Sequence, residues 1–259
     1  VLTVRDLVVR FGGVAALAGV SFDVRPGTIT SLIGPNGAGK TTAFNVITGY
    51  LRPSQGQVTW NGVPLTGLPP STIARLGVVR TFQRTSVFPA LSVLDNVRTG
   101  MHLRGTAGFW AILAGLRRVR EEEAALSGAA EDLVAFVGLA HRRHEPASAL
   151  PYGEQRLVEL AVALAARPAL LLLDEPAAGM TPPEKEAVAA LIRKIRDHGV
   201  TVLLVEHDMR VVMGLSDAVI VLHHGAVIAE GPPARVQSHP EVVRAYLGSA
   251  APGGAPAPA

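Results

Sequence analysis

At 259 residues and 48% hydrophobic content, the chain can bury a substantial core as one large domain or as one domain with an added lobe. Its 24 basic and 21 acidic residues leave a net charge of only +3, with no dense Lys/Arg tract to serve as a nucleic-acid footprint. The absence of cysteine excludes disulfides and thiolate metal sites and fits a reducing compartment.

Residues 1 to 33 read as β structure. Leu2, Val4, Leu7 and Val9, then Val20, Phe22 and Val24, recur near period two, with turns at Gly12-Gly13 and Pro26-Gly27. The sequence opens into this pattern with no basic-then-apolar leader, so a signal peptide is not expected. Ile29 to Ile33 is a buried strand, and Ala43 to Ile47 starts a helix. Between them lies Gly34-Pro35-Asn36-Gly37-Ala38-Gly39-Lys40-Thr41-Thr42, with the spacing of a phosphate-binding loop. Its glycines let successive N–H groups face one anion, and the helix start adds its own N–H groups and dipole. Lys40 supplies a cation for the β- and γ-phosphates, and Thr41 a hydroxyl for Mg²⁺.

A short β set follows around Gln57 to Trp60, turned at Asn61-Gly62, and Leu76 to Phe82 is a further strand. From Leu91 to Leu139 the spacing becomes helical. Leu94, Val97 and Met101 share one face; Phe109, Trp110, Leu113, Leu116 and Val119 share another. Arg117, Arg118 and Arg120 abut Glu121, Glu122 and Glu123, a run whose simplest role is solubility. Gly153 to Ala166 is a helix closed by Pro168. Two almost purely apolar strands, Ala169 to Leu173 and Val200 to Val205, flank a helix from Pro183 to Asp197, the pattern of a parallel sheet covered on both faces. Val219 to Leu222 and Ala226 to Ala229 form a hairpin around His224-Gly225, and Ser249 to Ala259 is an Ala/Pro/Gly/Ser tail expected to be disordered. The most apolar run, 157 to 173, is broken by Glu159, Arg167 and Pro168, short of the roughly 20 apolar residues a membrane span needs.

Leu170-Leu171-Leu172-Leu173-Asp174-Glu175 ends a strand in two acids at the sheet edge where ligands of open α/β folds bind. Asp174 suits Mg²⁺ held through its water shell, and Glu175 suits orientation or deprotonation of an attacking water.

The phosphate loop, Gln83, Leu150-Pro151-Tyr152-Gly153-Glu154-Gln155, Asp174-Glu175 and His207 occur in an order that resembles the nucleotide-binding subunit of an ATP-binding-cassette transporter. The likeness is narrowest to the Liv-type ATPase of branched-chain amino-acid importers. It rests there on Gly77 to Gln83, Glu175 to Met180, Glu206-His207-Asp208-Met209, Arg244-Ala245-Tyr246-Leu247-Gly248 and the helical insertion around 101 to 130. The resemblance implies an α/β P-loop NTPase (RecA-like) core with an antiparallel β subdomain and an inserted α-helical signature subdomain. Residues 1–248 would be the cassette, with 1–90 and 156–248 as core plus β subdomain and 91–155 as the helical part.

It also implies an ATPase that uses ATP and Mg²⁺. Gln83 would couple the γ-phosphate and Mg²⁺ to the membrane partner, His207 would contact the γ-phosphate, and Glu175 and Lys40 would complete the catalytic set. Thr41, Gln83 and Asp174 would surround the metal. Phe11 sits where an aromatic stacks on adenine, although core packing of an early strand explains it nearly as well. Tyr152, Gly153 and Glu154 occupy the signature positions that cap ATP held by an opposite subunit. There Pro151 replaces a hydroxyl and Glu154 adds a negative charge beside an anion. Gly179 to Thr181 would face that second subunit. The implied partners are a sister or identical ATPase, two membrane permeases and indirectly an extracytoplasmic solute-binding protein; the place is the cytoplasmic face of the inner membrane. The segment between Gln83 and Val97, with Val87, Phe88 and Leu91, is a candidate docking groove for a permease's cytoplasmic helix, and core packing of the helical lobe explains it equally well. A cassette acting on nucleic acid or ribosomes is the rival, and it lacks its usual paired cassettes, coiled-coil insertions or basic arms.

Overall fold

The computed structural model describes residues 1–81, 87–101 and 117–247. Gln83, the Phe109–Leu116 stretch, the side chains of the Arg117–Glu123 run and the Ser249–Ala259 tail lie outside them. The chain divides into two compact units, one made of Val1–Leu68 with the chain from Leu203 onward, the other of Pro69–Val202.

In the first unit, β1 (Leu2–Phe11), β2 (Val14–Val24), β4 (Gln55–Trp60) and β5 (Val63–Pro64) make an antiparallel sheet in the order β2-β1-β4-β5. The buried positions of β1 are Leu2, Val4, Leu7 and Val9, so the alternation slips by one residue between Val4 and Leu7. A strand can keep both pairs inward only by inserting a bulge. The register shifts there against both neighbours, and Asp6 takes a left-handed φ of 47°. β2 slips likewise between Leu17 and Val20, at Gly19.

β3 (Ile29–Ile33) is buried throughout and lies parallel to β9 (Ala218–His223), which turns through His224-Gly225 into antiparallel β10 (Ala226–Gly231). Both turn residues have positive φ, 47° and 77°, as a two-residue hairpin of primed type requires. After β3 comes α1 (Lys40–Ile47); α7 (Met209–Leu215), α8 (Pro233–Gln237) and α9 (Pro240–Leu247) follow later in the chain. Ile33, Val212, Val219, Val221, Val236 and Val242 form one core cluster of this unit.

In the second unit, β6 (Val78–Arg80) lies parallel to β7 (Leu170–Asp174). The strand expected over Leu76 to Phe82 is shorter at its start because α2 (Pro70–Arg75), not foreseen from spacing, ends there. Leu76 caps that helix and Gly77 takes φ 84°. The expected helical stretch contains α3 (Val93–Gly100) and α4 (Arg117–Phe136), followed by α5 (Tyr152–Ala165) and α6 (Pro182–Asp197). Leu94, Val97 and Met101 are buried together as their spacing predicts. Gly100 lets α3 and α5 approach closely: a Cβ there would strike the Val162 carbonyl and come 2.9 Å from Ala165 Cβ. β8 (Thr201–Val205) runs through the boundary between the units.

Candidate nucleotide site

Backbone geometry builds the phosphate loop. Gly39 caps α1 in a left-handed conformation (φ 107°) and offers no side chain to the helix's first N–H groups, and no acid occupies the first turn. The positive end of α1 is therefore kept for an anion. Asn36, Gly37 and Thr41 are exposed at the mouth, whereas Gly34, Ala38 and Lys40 are buried. Lys40 folds back across the loop, its Nζ donating to the carbonyls of Gly34 at 2.8 Å and Pro35 at 2.9 Å.

The glycines at either end are demanded by space as well as by φ. A Cβ at Gly34 would overlap the Leu222 carbonyl oxygen; one at Gly39 would lie 2.6 Å from the Ala16 carbonyl oxygen and 2.7 Å from Leu17 Cδ2. The loop is braced from outside as well. Gly225 N–H donates to the Ala38 carbonyl at 3.0 Å, and Ala18 N–H donates to that of Gly225 at 2.8 Å. Nothing in the loop's own spacing announces this support from β2 and the β9–β10 turn.

His207 follows β8 and is exposed, while Glu206 before it is buried. Glu206 Oε2 accepts from the His207 N–H at 3.0 Å, which fixes the backbone that carries the imidazole; Asp208 caps α7 by accepting from Arg210 N–H at 2.9 Å. Phe11 is 56% exposed at the end of β1, so core packing does not explain it.

In the second unit the two acids that end β7 differ sharply. Asp174 has a side chain only 1% exposed, and Arg80, 7% exposed, donates to its Oδ2 at 2.6 Å. Its other oxygen, Oδ1, is buried without a hydrogen-bond partner among the described residues. Such an orphaned oxygen suits a hard, oxygen-seeking cation. No group of three or more His, Cys, Asp or Glu able to hold a metal occurs among the described residues. That donor set fits Mg²⁺, which binds through one or two protein oxygens, keeps its waters and takes the rest from phosphates. Glu175, the next residue, takes a left-handed φ of 51°, a conformation that non-glycine residues adopt at a cost and often at functional positions.

The signature segment is likewise brought together. Pro151 precedes α5 without a side-chain cap. Glu154, which the sequence presents as an added negative charge, pairs with Arg142 Nε at 2.8 Å. Gly153 leaves room for the carboxylate of Glu184, whose Oε1 would be 2.6 Å from a Cβ at that position. Glu184 closes a capping box with Thr181 at the start of α6, and the hydrogen bonds from the Thr181 hydroxyl and N–H hold its pKa below the usual carboxylate value. Tyr152 packs against Gly179, its ring 3.4 Å from the place a Cβ would take, and its hydroxyl accepts from Arg156 at 2.7 Å.

Two residues in this unit escaped the sequence reading. Arg80 lies in the Gly77 to Gln83 stretch that carries the family likeness, but its spacing assigns it no role. Asn96 is fully buried on the otherwise apolar face of α3; its Oδ1 accepts from Phe88 N–H at 2.7 Å, and its Nδ2 donates to the carbonyls of Phe88, Leu91 and Ser92. The one signal for it was a polar residue among Leu94, Val97 and Met101. Asn96 thereby fixes a loop on which Phe88 (55%) and Leu91 (38%) remain exposed, which removes core packing as the explanation of Phe88.

Residues 17–178 match the ABC transporter family. The solved ADP conformation of an ATP-binding cassette of an ABC transporter superposes with a TM-score of 0.84 at 32% identity, covering 96% of this chain and 98% of that one. The chain therefore belongs to the ATP-binding-cassette family, an α/β P-loop NTPase whose members are ATPases coupled to transport. Its branch can be stated more closely. Residues 226–252 match the branched-chain amino acid ATP-binding cassette transporter family. The chain is 42% identical over 250 residues to the high-affinity branched-chain amino acid transport ATP-binding protein LivG of Salmonella typhimurium, covering 96% of this chain and 98% of the relative. It is 43% identical over 255 residues to the corresponding protein BraF of Pseudomonas aeruginosa, with the same coverage. The chain belongs to this LivG/BraF group, and the match over 226–252 favours transport over a role on nucleic acid or ribosomes. Among the described residues no helix is long and apolar enough to cross a membrane.

Proposed function

We propose that this chain is the ATP-hydrolysing subunit of an importer for branched-chain or other amino acids, and that it works as a pair with a sister or identical ATPase on two membrane permeases. The phosphate loop carries the reading: an uncapped, acid-free helix start with a buried ammonium already inside the cradle. The solute class rests on the printed names of the relatives.

In this reading Gly34–Thr42 wraps the phosphates, Lys40 neutralises the β- and γ-phosphates, and Phe11 stacks on adenine. Thr41, Asp174 and Gln83 are the residues that would hold Mg²⁺, which would offset charge developing on the phosphoryl oxygens. Arg80 holds the Asp174 carboxylate in place through its hydrogen bond to Oδ2. Glu175 orients or deprotonates the attacking water, and Glu206 sets the backbone from which His207 reaches the γ-phosphate. Tyr152, Gly153 and Glu154 cap the nucleotide of the opposite subunit. Closure of the pair on ATP shifts the permeases by differential affinity, and hydrolysis resets them. Residues 91–155 act as the moving helical part against 1–90 and 156–248, and exposed Phe88 and Leu91 receive the permease at the cytoplasmic membrane face.

The test uses the chain reconstituted with its co-purified permeases. Glu175→Gln is expected to bind ATP normally, accumulate as a closed dimer and lose turnover about a thousand-fold. Ordinary turnover in that variant removes Glu175 from the base role. Phe88→Ala is expected to lower solute uptake more than basal ATP hydrolysis; equal losses would sink the docking assignment.

A further inference from the structure

The last helix of the described chain turns two faces to its unit. Val242 is buried in the core cluster, and Tyr246 packs half-buried against the same cluster. The neighbouring face, with Glu241 and Arg244, lines a cavity of about 690 Å³ whose other walls include Pro35 to Ala38 of the phosphate loop and His223 and His224 at the end of β9. Helix α9 and the phosphate loop are thus neighbours in space although far apart in sequence.

Their contact is specific at one point. The Tyr246 hydroxyl hydrogen-bonds with the backbone of Gly34, and burial pushes the phenol up to about 12. The hydroxyl therefore stays protonated throughout physiological pH. Gly34 is the residue at which β3 turns into the loop, and its carbonyl accepts from Lys40 Nζ at 2.8 Å. Its backbone is held on one side by the C-terminal helix and on the other by the ammonium that serves the phosphates. Gly34 also has no slack sideways, since even a Cβ would strike the Leu222 carbonyl.

We propose that Tyr246 is a positioning residue of the nucleotide site: through Gly34 it fixes the start of the phosphate loop and the carbonyl on which Lys40 rests. It rests on the reading that this loop holds ATP. A loop that binds anions through N–H groups works only while those groups converge, and fixing them in advance spares the nucleotide the work of ordering them. Tyr246 lies within the 226–252 stretch matched by the branched-chain family, so that C-terminal extension acts on nucleotide binding rather than merely covering the sheet.

The test is Tyr246→Phe in the full chain, read by Mg-ATP affinity, steady-state hydrolysis and urea unfolding. Loss of one hydrogen bond is expected to raise the Kd and KM for ATP roughly three- to ten-fold. The kcat stays within about two-fold, because the variant keeps every group that meets the reacting atoms. The effect is the same at about pH 6.5 and about pH 8.5, since the phenol titrates in neither case. Val243→Ala, at an exposed position of the same helix, leaves Kd at the wild-type value. Wild-type affinity in Tyr246→Phe overturns the inference. So does a loss of affinity matched by equal falls in kcat and in the unfolding midpoint, the signature of a purely structural role. If the unaltered chain binds no ATP, the loop's own assignment fails first and this inference falls with it.

Discussion

The phosphate loop and the end of β7, each proposed to serve the nucleotide, are built in opposite ways. The loop is made of backbone: glycines at fixed φ, a helix start, and a lysine bonded to two carbonyls of its own loop. The end of β7 is made of side chains, a carboxylate and a guanidinium shut away from water with one oxygen left over. A backbone-built station depends on torsion angles and tolerates little change of shape. A side-chain-built station depends on charge balance, and it fails when one partner goes. The two should therefore break differently.

The largest expected effect is at the ion pair. Arg80→Met keeps the volume but strands the Asp174 carboxylate in the interior, at about 3–5 kcal/mol of stability. Urea unfolding should show it, and Arg80→Met combined with Asp174→Asn should recover most of the loss. If the single variant is as stable as wild type, the end of β7 is not held by charge. Next comes the backbone: Gly39→Ala must adopt φ near 107° against the Ala16 carbonyl and Leu17, at a cost on the order of 2–3 kcal/mol. Here the fall in ATP affinity should exceed what the lost stability explains, because the N–H groups no longer converge. An unaltered Kd would show that the loop is more pliant than its contacts suggest. The smallest effect is expected at Glu154. Its pair with Arg142 is partly exposed, so Glu154→Gln should change stability by less than about 1 kcal/mol. With Arg142 already offsetting that charge, ATP hydrolysis should change by less than about three-fold. A jump in turnover would restore the view that Glu154 repels the nucleotide.

The same contrast decides what could be read from the residues. The phosphate loop was legible because torsion and sequence-local hydrogen bonds define it, and glycine spacing records torsion directly. The spacing of Leu2, Val4, Leu7 and Val9 reads as near period two, and the structure resolves its one-residue slip as a bulge absorbed at Asp6. Arg80, Asn96 and Tyr246 were not legible in this way. Each acts on a partner that the local pattern does not name: a carboxylate on another strand, a preceding loop, a glycine near the other end of the chain. A strand arginine, a helix asparagine and a helix tyrosine are common residues, and only the fold turns them toward those partners. Helix α2 was missed for a related reason, since six residues with one buried side chain leave no periodicity to count.

Lys40 enters the folded state with its ammonium already out of bulk water and resting on the carbonyls of Gly34 and Pro35. In the proposed site, an arriving phosphate would meet a cation already largely withdrawn from solvent and would replace a carbonyl as the ammonium's acceptor. Recognition at this point is an exchange of acceptors. A phosphate oxygen must outbid a pair of neutral carbonyls, which a doubly charged terminal phosphate does more readily than a weakly charged anion of similar size.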